Sequence, residues 1–208
     1  LDGYSGIYFD ISSTVTIQNL VVDNAGQFAF NLRASGLDAV ANIVDTTVLD
    51  SSSNYEAPVQ AIVYSASDQL DFNVVRSAFV GNYNAGGNGG GALLMFSEGG
   101  AVEATVTDSY FVGNSAFYSG GAIESYGGHL TVLNSTFSNN SATGDPEATG
   151  GAISTYYAAI LHSTFVDNIA SGYGNGLYVY AGGAAFVENS IFYNDSENGS
   201  LDIYAADV

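Results

Sequence analysis

A short phrase, Phe-x-x-Asn, returns along this chain and limits what the chain can fold into. Its clear copies begin at Phe79, Phe111, Phe137 and Phe165. These copies alternate with a second phrase, Gly-Gly-Ala, which begins at Gly90, Gly120 and Gly150. One such unit cannot bury an apolar face alone, so the core must form by stacking units on one another.

Each unit reads as several short strands. Runs of β-branched and aromatic residues end at Gly or Asn, and no helical periodicity is present. A propeller blade would need about 40–45 residues and four antiparallel strands. We therefore predict an all-β, single-domain, right-handed parallel β-helix over residues 1–208, with about seven coils of 26–32 residues. The hand follows from the general preference of parallel connections.

Aligned units place residues of one chemical type in columns. The apolar anchors of the units are Val21, Val48, Phe79, Phe111, Phe137, Phe165 and Phe192. Three residues after the anchors, a structural asparagine ladder at a tight corner is predicted at Asn24, Asn82, Asn114, Asn140 and Asn168. Three residues before the anchors, an exposed ion ladder of alternating charge is predicted at Asp45, Arg76 and Asp108.

A fourth column is aromatic. It lies three residues after the apolar residue of each Gly-Gly-Ala strand, at Tyr64, Phe96, Tyr126, Tyr156, Tyr180 and Tyr204. Strand alternation directs this column outward, and Arg33 is expected to lie over Tyr64 and to pair with Asp10. Two interpretations stay open: the rings bind sugars or a partner protein, or they only stiffen the solenoid.

Composition restricts the partners. The chain has no Lys, two Arg and 21 acidic residues, for a net charge of -19. Nucleic acid and polyanionic glycans are therefore excluded as partners. There is no Cys, so disulfides and thiolate metal sites are excluded, and no apolar run reaches the roughly 18 residues that a membrane span needs. No cofactor is predicted except calcium, with candidate ligands at Asp145, Glu147, Asp195 and Glu197.

The main alternative is a polysaccharide lyase or glycoside hydrolase of the pectate-lyase-like class. Such lyases need an Arg or Lys base with clustered Asp ligands, and galacturonases need paired Asp beside a Gly-His-Gly sequence. Here Gly127-Gly128-His129 is only a partial match. A glycosidase needs two carboxylates about 5–9.5 Å apart. Asp23 and Asp50 are neighbours by column, but the sequence shows no pocket that would raise the pKa of either acid. We assign no catalytic residue.

The paired phrases resemble the passenger repeats of chlamydial polymorphic outer-membrane proteins and of related bacterial surface β-helix proteins. The resemblance runs from about Phe79 to Asn194. It implies an exposed, adhesive or scaffolding protein at the cell surface or outside the cell. Glycans and host or cell-surface proteins are the partners that this interpretation favours.

We therefore predict a non-catalytic extracellular structural or adhesive module. Strand-like segments 7–10 and 201–204 lie at the same phase of the repeat, so both ends would present an open coil. Such a coil is covered either by neighbouring repeats of the same polypeptide or by another copy, end to end in a filament. Loops of variable length after the ladder positions are expected on one side, at residues 51–58, 82–91 and 141–149.

Overall fold

The computed structural model describes residues 6–194 and 201–206, and within these ranges the chain contains strands and no helix. Every strand of these ranges pairs in parallel with its equivalent in a neighbouring coil. One sheet has seven such strands, and each belongs to one coil. The prediction of an all-β parallel β-helix with about seven coils is confirmed, and the right-handed course stays a prediction.

The largest sheet has 12 strands and bends into two faces. The first face contains β1 (Ile7–Ile11), β4 (Phe30–Ala34), β8 (Val59–Val63), β12 (Leu93–Ser97) and β24 (Ile203–Ala205). The second face contains β2 (Thr14–Gln18), β5 (Ala39–Val44), β9 (Gln69–Val75) and β13 (Ala101–Thr107). Three long strands cross both faces: β16 (Ile123–Leu133), β19 (Ile153–Leu161) and β22 (Leu177–Glu188). In β16 the bend falls at Gly127, whose φ is 84°, and the register with β19 shifts there.

Two further sheets complete each coil. The anchor sheet contains β3 (Val21–Asp23), β6 (Thr47–Leu49), β10 (Ala78–Val80), β14 (Tyr110–Val112), β17 (Thr136–Ser138), β20 (Thr164–Val166) and β23 (Ile191–Tyr193). A sheet of two-residue strands follows it, with β7 (Ser52–Ser53), β11 (Tyr83–Asn84), β15 (Ser115–Ala116), β18 (Ser141–Ala142) and β21 (Ile169–Ala170). The variable loops connect this short sheet to the first face of the next coil.

The anchor phenylalanines form a continuous stack in the core. Ring centroids of Phe79, Phe111, Phe137, Phe165 and Phe192 lie 4.7, 4.8, 4.7 and 4.3 Å apart, with planes within 4°. This spacing is the distance between neighbouring strands, so the register of the backbone also sets the ring stacking. Each buried large side chain contributes about 1.5–3 kcal/mol, so the stack is a main source of stability.

Beside the stack, asparagine side chains satisfy the backbone at a corner. Asn114 Nδ2 donates to Asn140 Oδ1 at 3.0 Å and to the Phe79 carbonyl oxygen at 2.9 Å. Its Oδ1 accepts from the backbone N–H and the Nδ2 of Asn82 at 3.1 and 2.9 Å. Asn82, Asn140 and Asn168 lie in the same buried column. The amide of Asn114 therefore uses both donors and its acceptor within the core.

Asn24 is not part of this ladder, so that prediction was wrong. Val22, rather than Val21, pairs with Val48, and Val21 is 66% exposed. Ala25 therefore occupies the ladder position and donates its N–H to Ser51 Oγ at 3.1 Å. Asn24 lies at an exposed corner with φ 55°. Either of the two adjacent valines suits the anchor position, so the sequence alignment of this unit was displaced by one residue.

The first glycines of two Gly-Gly pairs have a positive φ, 58° at Gly120 and 62° at Gly150. The second glycines stack without room for a side chain. A Cβ on Gly121 would lie 2.0 Å from the carbonyl oxygen of Gly151, and one on Gly91 would lie 2.0 Å from that of Gly121. The close contact between the backbones of neighbouring coils therefore requires glycine at the second position of the pair.

Candidate functional site: an aromatic cleft on the first face

The structure places the predicted aromatic residues on the outside of the first face, but not in one column. Phe96 pairs with Ile62 on one side and Tyr126 on the other, so Tyr64 lies two residues beyond the column. Tyr204 pairs with Tyr178, two residues before Tyr180. The single column was therefore wrong at Tyr64 and Tyr204. A slip of two residues keeps a side chain on the same face, so alternation alone cannot detect it.

The rings nevertheless form one continuous aromatic row, because the centroids of successive rings lie 4.9–6.2 Å apart. Phe96 lies 6.2 Å from Tyr64 and 6.0 Å from Tyr126, between centroids. Tyr126 contacts Tyr156 at 5.3 Å, and Tyr156 contacts Tyr180 at 4.9 Å. Tyr178 joins Tyr180 to Tyr204 at 5.2 and 5.7 Å. We call Tyr64, Phe96, Tyr126, Tyr156, Tyr180, Tyr178 and Tyr204 the aromatic row.

Arg33 ends the aromatic row. Its guanidinium carbon lies 4.7 Å from the centroid of Tyr64, within the range of a cation–π contact. Nη1 also donates to the hydroxyl of Tyr8 at 3.5 Å, and that hydroxyl donates to Asp10 Oδ1 at 3.2 Å. The predicted pairing with Asp10 is thus made through Tyr8 rather than directly. The hydrogen bond with Tyr8 raises the pKa of Arg33.

A cleft of about 650 Å³ opens at the middle of the aromatic row. Its lining is Gly87, Asn88, Leu94, Phe96, Ser97, Glu98, Glu124 and Tyr126. The Phe96 and Tyr126 rings are nearly parallel, with 15° between their planes, and Tyr126 is 43% exposed. The opening therefore presents aromatic rings together with side-chain oxygen atoms that can accept hydrogen bonds. We call this opening the first-face cleft.

The deepest polar group of the first-face cleft is Glu124, which the sequence analysis did not select. Glu124 points outward from β16, yet it is only 6% exposed. Ser119 Oγ donates to its Oε2 at 2.7 Å, and the Tyr180 hydroxyl donates to its Oε1 at 2.8 Å. The one available signal was the acid directly after Gly-Gly-Ala-Ile, where the other units place Ser154 and Leu94.

Burial raises the pKa of Glu124 above its ordinary value of 4.5, while hydrogen bonds from Ser119, Tyr180 and the Gly89 backbone act in the opposite direction. Burial also raises the pKa of Tyr180. The folded state therefore binds the Glu124 proton more tightly than the unfolded chain does. Its contribution to stability is full below about pH 4.5 and is lost as the pH rises through the folded pKa.

The loop after β11 covers Glu124. A Cβ on Gly89 would lie 1.8 Å from Glu124 Oε2, so the backbone of this loop passes directly over the carboxyl group. Asn84 holds the loop from below, donating to the Gly89 carbonyl oxygen at 3.2 Å and accepting from the Gly86 N–H at 2.8 Å. Asn88 donates to Glu56 Oε1 in the preceding variable loop at 3.3 Å. The variable loops therefore shape this side of the first-face cleft.

The predicted ion ladder is only partly formed. Arg76 Nε and Nη2 donate to the two carboxylate oxygens of Asp45 at 2.7 and 2.8 Å, which lowers the pKa of Asp45. Asp108 instead accepts from Asn134 Nδ2 at 2.6 Å. All four residues have φ between 46° and 52° and form a corner that is exposed at Asp45, Arg76 and Asn134 and half-buried at Asp108. The hydrogen bond with Asp45 raises the pKa of Arg76, and the charge of Asp108 adds to this effect. Asp108 therefore acts on Arg76 through its charge, while the direct ion pair of Arg76 is with Asp45.

The calcium prediction receives no support from side-chain geometry. Asp145 Oδ1 accepts from the backbone N–H of Glu147 at 2.8 Å, which is a local turn. Asp195 and Glu197 lie outside the described residues. Within residues 6–194 and 201–206, no three His, Asp or Glu side chains are grouped closely enough to hold a metal ion.

Over the same ranges, no helix is long and apolar enough to cross a membrane.

No protein family, curated protein or solved structure gives a significant match to this chain. The resemblance to the polymorphic outer-membrane repeats therefore stays a prediction from the repeated phrases alone.

Proposed function

We propose that this chain is a non-catalytic adhesive module of an extracellular or cell-surface protein, and that it binds glycans in the first-face cleft. The observation that carries the proposal is the nearly parallel pair of Phe96 and Tyr126 beside the oxygen atoms of Glu98, Ser97 and Asn88. Aromatic faces pack on the apolar faces of sugars, while a few convergent polar groups fix orientation. Extracellular placement is supported by the resemblance of the repeats.

A binding site fits the cleft better than a hydrolytic one. Glu124 and Glu98 both line the opening, so a carboxyl pair is present in the same space. The carboxyl group of Glu124, however, accepts from Ser119 and Tyr180 and lies beneath the backbone of Gly89. A general acid must reach the leaving-group oxygen, whereas both carboxyl oxygens of Glu124 are already engaged within the chain. We therefore propose that Glu124 holds the loop that shapes the cleft.

A glycan array with purified protein tests this function. We expect Tyr126→Ala to abolish or strongly weaken every signal of the parent, because it removes one face of the ring pair. Tyr110→Ala is the matched control, since Tyr110 is 57% exposed on the anchor sheet, away from the cleft lining. Circular dichroism of both variants verifies folding. Equal binding by Tyr126→Ala and the parent would show that the glycans do not bind in the first-face cleft.

The hydrolase alternative has its own assay. Release of reducing ends from the glycans that bind would show turnover, and loss of that release in Glu124→Gln with glycan binding retained would assign the acid. Binding without product release is the result that the adhesive module predicts.

A second candidate role is end-to-end association, as the structural component of a filament. Core positions of the last coils are incompletely covered: Val187 is 36% exposed, whereas its partner in the preceding coil, Ile160, is fully buried. A further coil of the same polypeptide or a second copy would cover such positions. Sedimentation velocity at rising concentration, with electron micrographs, tests the second option. Single particles of constant size at all concentrations would exclude filament growth by this chain.

A further inference from the structure

The charges around the first-face cleft are of one sign. Glu98 lines the cleft as an exposed acidic residue, and Glu56 accepts from Asn88 at its rim. Burial is the main cause that raises the pKa of Tyr64, and the nearby negative charges of Glu56 and Glu98 raise it further. The chain has only two Lys or Arg residues. Arg76 is paired with Asp45, and no basic residue lines the cleft. A cationic ligand would therefore find no competing positive charge in the cleft.

The aromatic row already binds one cation within the chain. The Arg33 guanidinium lies over Tyr64 at 4.7 Å, and Tyr64 contacts Phe96, the first ring of the cleft. Phe96 and Tyr126 repeat the same surface further along the row, with Glu98 beside them, but no side chain of the cleft lining supplies the cation. An aromatic face next to a carboxylate is a favourable environment for an ammonium or guanidinium group.

We infer that the glycan bound in the first-face cleft carries free amino groups, as in a polymer of hexosamine units without N-acetyl groups. This inference rests on the proposed function, because it takes the first-face cleft as the glycan site. The sugar faces pack on Phe96 and Tyr126, and the protonated amine pairs with Glu98. A net charge of -19 on the chain adds long-range attraction for such a polycation.

Calorimetric titration with three β-1,4-linked hexasaccharides tests the inference: one of glucosamine, one of N-acetylglucosamine and one of glucose. We expect the glucosamine hexamer to bind at least about tenfold more tightly than the other two at low salt, a difference of about 1.4 kcal/mol. Its affinity should fall as salt screens the ion pair, while that of the neutral hexamers should not.

Two matched variants locate the contact. Glu98→Gln should reduce the affinity for the glucosamine hexamer by about tenfold and that for the neutral hexamers by much less, because only the former loses an ion pair. Glu103→Gln should change neither, because Glu103 lies on the second face, next to His129. Equal reduction by both variants would show that the whole charge of the protein attracts the polymer, without a specific pair, and would overturn the inference.

The outcomes separate the inference from the function on which it rests. If the neutral hexamers bind as tightly as the glucosamine hexamer, the amino group is not recognised, while glycan binding stands. If no hexamer binds at any salt concentration, both the inference and glycan binding in this cleft are wrong.

Discussion

Replacing Asn114 by alanine tests the asparagine ladder at the middle coil of the anchor sheet. The substitution removes four hydrogen bonds: two that Asn114 Nδ2 donates and two that its Oδ1 accepts from Asn82. The Asn82 N–H would then be left in the core without this acceptor, at a cost of about 1–3 kcal/mol. Three further bonds at about 0.5–1.5 kcal/mol each give a total loss of about 2.5–7.5 kcal/mol in the free energy of unfolding.

Urea unfolding followed by circular dichroism measures this loss as a shift of the midpoint. Asn73→Ala is the control, because Asn73 is also a stacked amide but lies on an outward face and donates to Asn42 Oδ1 at 3.0 Å. We expect the control to lose about 1 kcal/mol or less. If Asn114→Ala is no less stable than Asn73→Ala, the buried ladder does not hold the coils together as argued.

Three other substitutions follow from the same structure. Glu124→Gln should remove a pH-dependent contribution to the free energy of unfolding. In urea titrations the parent should therefore lose stability relative to the variant as the pH rises from about 4 to 8; a constant difference would contradict the raised pKa. Gly121→Ala should prevent folding or lower the melting temperature far more than Gly113→Ala. A Cβ on Gly121 would meet the Gly151 carbonyl oxygen, whereas one on Gly113 would have open space and would add only the backbone strain of a positive φ; similar melting curves would contradict this. Phe137→Ala should cost about 3–5 kcal/mol in urea unfolding, since it empties the ring stack; a cost below about 1 kcal/mol would show that the stack is not cooperative.

The interior could be predicted because each inward position meets the same surroundings in every coil. Phe111, Phe137 and Phe165 stack on one another as the repeated phrase implies. The slip at Val21 and Val22 occurred where the repeat is degenerate and two adjacent residues suit the same position. Sequence patterns therefore located the core wherever residue type distinguishes one position from the next.

The outward positions were harder to predict, because alternation assigns a face but not a partner. Tyr64 and Tyr204 were placed two residues out of register, since a shift of two leaves the face unchanged. Asp108 was assigned to an ion ladder, but Asn134 on the next coil occupies its carboxylate. The partner of an outward side chain depends on how far it reaches toward residues of other coils, and the sequence of a single unit does not contain that information.

By itself, the sequence determined that the chain stacks about thirty residues at a time into a solenoid, with phenylalanine, asparagine and glycine in fixed inward or corner positions. It did so because the same packing and hydrogen-bonding demands recur in each coil. Only the tertiary structure decided that Glu124, an outward residue of a strand, becomes buried beneath Gly89 and joins Phe96 and Tyr126 in a cleft. That environment comes from a loop that folds over a neighbouring coil, so its chemistry is absent from the repeat pattern of any one unit.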